Sequence, residues 1–125
     1  MFSEFFSSFK KKNDHEIPDI STEKLTIENG ISSNIVKILE EAMMLERRQL
    51  KESNLVERKD LCESALIKYQ QALDLIRESS KKYRKNREFA SQDIYDAQEL
   101  KIVERMEYLE SAIKTFKEKM PKKAA

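Results

Sequence analysis

Ser64-Ala65-Leu66-Ile67-Lys68-Tyr69-Gln70-Gln71-Ala72 is the stretch that decides the fold. Within it and just beyond, Cys62, Ala65, Leu66, Tyr69, Ala72, Leu73 and Ile76 recur at steps of three and four. That is the spacing of one face of an α-helix. Ala65 and Ala72 are small and one heptad apart, so a neighbouring helix can approach closely there. Upstream, Ile35, Ile38, Leu39, Ala42, Met43 and Leu50 mark a second helical face. Downstream, Tyr95, Ile102, Leu109 and Phe116 recur every seven residues, and Met106, Ile113 and Met120 form a parallel row at the same interval. A seven-residue seam is the signature of helix packed on helix. Val103 and Ala112 add a further apolar side to this last helix, which must therefore bury more than one face or offer part of one to a partner. The fold class expected is all-α: an antiparallel three-helix bundle with an N-terminal amphipathic segment, its working surface a groove between helices.

Composition agrees. At 125 residues a single domain is expected. Apolar residues make up 39% and charged residues 38%, enough for a thin core with long solvated faces outside it. One Gly and two Pro leave little material for strands and tight turns. The net charge of +1 exerts no general pull on nucleic acid or anionic membrane. A single Cys excludes an intramolecular disulfide. Residues 1–12 lack the charged start, apolar run and cleavage site of a signal peptide, and no apolar run reaches the ~18 residues of a spanning helix. The location expected is cytoplasmic, with peripheral contact to endosomal or other membranes.

The chain divides into four parts: 1–12, 13–31, 32–119 and 120–125. In the first, Phe2, Phe5, Phe6 and Phe9 lie at i, i+3, i+4 and i+7 and are followed by Lys10, Lys11 and Lys12. This segment either docks on the bundle, trails as a tail, or acts as an interfacial anchor with rings among headgroups and lysines on phosphates. Residues 13–31 read as a tethering linker, with Ile20, Leu25 and Ile27 available as a strap against the bundle. The first helix is expected to start at Ser32 or Ser33 and to break at residues 51–54. The second is expected at 56–83 and the third at 91–119, with Pro121 as the stop.

No catalytic constellation is present. His15, the only histidine, sits in the linker without a nucleophile near it in sequence. Cys62 lies on the apolar stripe and reads as a small buried hydrophobe. One Cys and one His make no zinc spacing, and one Gly makes no phosphate-cradling loop. Carboxylate pairs such as Glu40 and Glu41 lie among Lys and Arg and read as solvated helix faces. No enzyme activity, cofactor or metal is expected.

The second and third helices resemble the MIT (microtubule-interacting and trafficking) domain family. Its second helix reads E-x-A-L-x-x-Y-x-x-A, matched by Glu63, Ala65, Leu66, Tyr69 and Ala72. Its third often carries Y-L-[DE]-R-A-E-x-L, matched by Tyr108, Leu109, Glu110 and Ala112. Ser111 stands for the usual Arg, Ile113 for Glu and Thr115 for Leu. Tyr69 and Tyr108 are further apart than is usual in the family, which longer helices or an insertion at residues 84–92 would absorb. The resemblance implies a non-enzymatic adaptor that binds short helical or extended tails of ESCRT-III-type proteins, between helices two and three or one and three. It implies Leu109 as apolar anchor and Glu110 as the acidic register residue. Met106 lies one turn before Leu109 and Ile113 one turn after. The alternative reading is a structural bundle or coiled-coil subunit that self-assembles or docks a partner helix. A third, a phosphate or nucleic-acid site on the basic run at 81–87, has no aromatic interleaving beyond Tyr83, and no nucleic-acid partner is expected.

Overall fold

Three helices, α1 (Ser33–Leu50), α2 (Leu55–Lys85) and α3 (Phe89–Lys119), make up most of residues 25–120, the part of the chain that the computed structural model describes. The expected three-helix bundle is therefore the architecture observed. Two contacts pair α2 with α1 in the antiparallel sense: the Arg58 Nε–H donates to Gln49 Oε1 at 3.1 Å, and Lys68 Nζ lies 3.4 Å from Glu41. Two more pair α2 with α3 in the same sense: Arg77 Nε–H donates to Glu99 at 2.9 Å, and the Tyr83 and Tyr95 rings lie 5.2 Å apart. α1 and α3 accordingly run parallel, and no Cα of one comes within 8 Å of a Cα of the other.

The helix ends follow from local chemistry. The break at residues 51–54 contains neither Gly nor Pro, yet it holds because Asn54 caps α2. The Asn54 side-chain oxygen accepts from the backbone N–H of Val56 at 2.9 Å and of Glu57 at 3.1 Å. At the other end of α2 the Glu88 N–H donates to the Tyr83 carbonyl at 2.8 Å, and the Arg87 N–H to the Arg84 carbonyl at 3.1 Å. With Arg87 at φ 60° this is a Schellman closure, with arginine in the left-handed position that usually falls to glycine. Only residues 86–88 separate α2 from α3, so the wide spacing of Tyr69 and Tyr108 comes from two long helices and not from an insertion.

The core is the predicted seam. Ile35, Leu39, Ala42, Cys62, Ala65, Tyr69, Ala72, Ile76, Tyr95, Ile102, Leu109, Ala112 and Phe116 are all buried. Five polar side chains are buried with them: Glu46 and Gln49 on α1, Ser80 on α2, and Gln98 and Arg105 on α3. Sequence reading passed over all five because of their polarity. Their register was nonetheless visible, since Ile35, Leu39, Ala42, Glu46 and Gln49 form one unbroken row at steps of three and four. Glu46 accepts from the Tyr69 hydroxyl on α2 and, at 2.8 Å, from Arg105 Nε on α3. One buried carboxylate thus ties all three helices and bridges the α1–α3 gap with long side chains.

Residues 25–31, read from sequence as part of a tether, belong to the folded unit. Leu25 and Ile31 are buried and Ile27 half-buried. Residues 1–24 and 121–125, which include the amphipathic segment, Ile20 and Pro121, lie outside the described residues.

Candidate functional site

α3 has a flank on each side, and the two are built differently. On the α2 side, Glu99, Val103, Met106 and Glu110 share one row at i, i+4, i+7 and i+11. Facing it on α2, the row Arg77, Leu73, Gln70 and Leu66 runs in the opposite direction. The Arg77–Glu99 pair fixes the register of the two rows. Val103, Met106 and Leu66 are half-buried, whereas Glu110 and Gln70 are exposed. The result is a furrow with an apolar floor and polar ends. Towards the α2–α3 turn it opens into a cleft of about 500 Å³, lined by Asp74, Arg77, Lys81 and Arg84 of α2 and by Gln92, Asp96 and Glu99 of α3.

The four residues assigned to partner binding are split by the structure. Met106 and Glu110 lie on this furrow row. Leu109 has no exposed surface and Ile113 is only 7% exposed. Leu109 belongs to the inward seam of Tyr95, Ile102, Leu109 and Phe116, so it is a core residue and not a surface anchor; Ile113 joins it in the core. The physical reason is angular. The row Tyr95, Ile102, Leu109 and Phe116 points at the bundle axis, and a groove facing outward is lined by the neighbouring row. Val103, Leu66 and Gln70 are the residues that this reasoning adds.

On the α1 side of α3 the flank is covered. Gln98, Lys101 and Arg105 stand one turn apart in sequence, and Arg105 reaches Glu46 of α1, so this row faces α1. Residues 25–32 lie along it. The Gln98 side-chain carbonyl accepts from the Glu28 N–H, and its amide donates to the Thr26 carbonyl at 3.1 Å. Lys101 donates to the Thr26 hydroxyl at 2.8 Å and pairs with Glu28. The Tyr95 hydroxyl accepts from the Ser32 N–H at 2.9 Å.

Burial, reinforced by the Glu46 charge, pushes the Tyr69 hydroxyl well above its ordinary range. Burial first and Glu46 second push the Cys62 thiol up to about 12, which makes it a poor nucleophile at neutral pH. Among the described residues no group of three or more His, Cys, Asp or Glu could hold a metal ion. No described helix is long and apolar enough to cross a membrane. Lys81, Lys82, Arg84, Lys85 and Arg87 are exposed around the α2–α3 turn, where cations favour the helix C-terminus. The chain matches no protein-family model, no curated protein and no solved structure.

Proposed function

We propose that the bundle is a non-enzymatic docking module of the MIT type, and that the furrow between α2 and α3 receives a short helical tail of an ESCRT-III-type protein. The observation that carries this reading is the paired rows Glu99–Val103–Met106–Glu110 and Arg77–Leu73–Gln70–Leu66. They set half-buried apolar side chains between charged ends. An amphipathic helix with apolar residues at i, i+3, i+4 and i+7 fits such a furrow, with the end charges setting its register. The resemblance of Glu63, Ala65, Leu66, Tyr69 and Ala72, and of Tyr108, Leu109, Glu110 and Ala112, to the family motifs supports it. In this reading Leu109 holds the furrow floor from behind, while Met106, Val103 and Leu66 meet the partner. Recruitment to a membrane by Phe2, Phe5, Phe6, Phe9 and Lys10 to Lys12 belongs to the same proposal.

The test is titration of the ¹⁵N-labelled chain with a panel of ESCRT-III C-terminal tail peptides. Shifts centred on Leu66, Gln70, Val103, Met106 and Glu110, saturating in the micromolar range of roughly −8 kcal/mol, are expected. Silence across the whole panel would sink the partner assignment. Exposed Ile67 and Leu100, 60% and 70% exposed, favour self-assembly as the second reading. Under that reading the mass in analytical ultracentrifugation rises with concentration and the tail peptides have no effect.

A further inference from the structure

The turn between α2 and α3 is the most basic stretch of the described residues. Lys81, Lys82, Arg84, Lys85 and Arg87 fall within residues 81–87, which hold no acid. The whole chain carries a net charge of +1, so outside this run it is net acidic. A helix dipole accounts for a cation or two in a last turn, such as Arg47 and Arg48 on α1 or Lys117 and Lys119 on α3. It does not account for this cluster. All of its cations are exposed, and among the described residues none of them has an ion-pair partner. Half-buried Tyr83 takes the inward side of the last turn, its ring 5.2 Å from that of Tyr95. Lys81, Lys82, Arg84 and Lys85 fan round the sides left over.

Two further features set this tip apart from a merely solvated turn. Phe89 opens α3 and is 56% exposed, the only aromatic among the exposed large hydrophobic side chains of the described residues. Six residues before Tyr95, it sits about 120° round the helix from the inward seam and lies outside the core. Arg87 holds φ 60°, in the left-handed position that glycine adopts without strain. An apolar ring and a cation thus stand side by side at the crest of the helical hairpin, and Glu88 is the only acid among residues 79–92. A convex tip offers no groove to a peptide, but it can meet a plane. A ring surrounded by cations suits a headgroup boundary, with the cations on anionic headgroups and the ring between them and the acyl chains. Because the Tyr83 ring packs on Tyr95, the tip lacks the stacking platform that single-stranded nucleic acid uses.

We propose that the α2–α3 tip is a peripheral docking site for an anionic lipid surface, with Lys81, Lys82, Arg84, Lys85 and Arg87 on the headgroups and Phe89 at their inner boundary. The contact belongs to the folded bundle. It needs neither the N-terminal Phe/Lys segment nor a ligand in the furrow, and it leaves Val103 and Met106, more than a helical turn away along α3, clear of the surface. Electrostatics dominates it, so it weakens as salt shortens the screening length to ~3 Å near 1 M.

The experiment uses the full chain carrying Phe5→Glu and Phe6→Glu, which silences the N-terminal segment, and phosphatidylcholine vesicles with and without roughly one-third phosphatidylserine. Co-sedimentation is expected with the anionic vesicles only, and to fall as salt rises. Each cation near such a surface is worth about fivefold in affinity, so Lys81→Gln, Lys82→Gln, Arg84→Gln and Lys85→Gln together should weaken binding at least ~100-fold. Arg87→Gly removes a cation and relieves the left-handed strain, so binding should fall several-fold while the melting temperature does not fall. That split keeps the test decisive even where the fourfold variant folds poorly. The chain has no Trp, so Phe89→Trp is a unique reporter, and its emission should shift to the blue on anionic vesicles. Absence of vesicle binding in the Phe5→Glu, Phe6→Glu chain would overturn the proposal. So would binding indifferent to Arg87→Gly and to the fourfold variant, or an unmoved emission from Phe89→Trp. Tighter capture of single-stranded RNA than of the vesicles, lost in the same variants, would give the patch to nucleic acid and overturn it equally. Arg87→Gly and Phe89→Trp leave the furrow rows intact, so tail-peptide binding there stands or falls separately.

Discussion

The two flanks of α3 come from one helix and carry opposite solutions to the same packing problem. On the α2 side the backbones pack directly, and the surface furrow left over is apolar at its floor and open. On the α1 side the backbones stay apart, and the gap is filled by long polar side chains and by residues 25–31. The difference teaches that closeness of helices, and not the count of apolar residues, decides which groove of a small bundle remains available. Where helices touch, the groove is shallow and free. Where they stand off, the interior must be plugged, and this chain uses Glu46, Arg105 and its own strap as the plug.

The largest expected effect breaks the contrast between the inward row and the furrow row. Leu109→Asp places an unpaired carboxylate at a position with no solvent access, and should unfold the bundle, at a cost above about 4 kcal/mol. Met106→Glu, one turn earlier and half-buried, should leave the melting temperature within a few degrees while removing tail-peptide binding. Circular dichroism on both variants decides it. A folded Leu109→Asp would return that residue to the surface and overturn the assignment of rows made here.

Next comes the polar plug. Arg105→Ala leaves the buried Glu46 with the Tyr69 hydroxyl alone and should destabilise by ~3–5 kcal/mol in urea unfolding, because a buried charge has lost its counter-charge. Arg105 also lies with its guanidinium 5.3 Å from the Tyr108 ring centroid, so part of the loss is packing. Recovery of stability in Glu46→Leu with Arg105→Leu would show that the knot serves specificity more than stability.

Ala72→Leu tests the close contact of α2. Ala72 has no exposed surface, and an added isobutyl group should cost ~1–3 kcal/mol through overpacking. An unchanged melting temperature would mean that α2 stands further from its neighbours than the structure places it.

The smallest effect is a pH dependence. The Cys62 thiol rises from its ordinary 9.0 to about 12, and the Tyr69 hydroxyl rises from 10.0. Both groups stay neutral in the bundle at pH values where the unfolded chain ionises. Their contribution is therefore complete below about pH 9 and is lost as pH climbs towards 12. Denaturant midpoints should fall across that window, and Cys62→Ala should remove part of the slope. A midpoint flat to pH 12 would contradict the burial of both groups.

Much of this was legible in the chain. Periodicity named the stripe from Cys62 to Ile76 and the seam from Tyr95 to Phe116, and every member of both is buried except Leu66, which is half-buried. Helix ends were placed to within about two residues. Of the residues assigned to partner binding, Met106 and Glu110 lie on the furrow row, and Leu109 and Ile113 face inward. Leu109 matches a family motif, while the furrow row lies about 60–120° around the helix from it. Glu46, Gln49, Gln98 and Arg105 escaped because apolar patterning cannot mark a polar residue whose partner lies far off in sequence.

Sequence alone thus determined the class of fold, the three helices and the inward faces of α2 and α3, with Leu50 of the expected α1 face instead exposed, because helical periodicity is a local property that hydrophobic burial makes legible residue by residue. Only the tertiary structure decided which helices touch, which groove stays open and where residues 25–31 come to rest. Those outcomes depend on contacts across 59 residues between Glu46 and Arg105 and across 70 between Glu28 and Gln98. A polar side chain declares itself buried only when its counterpart arrives.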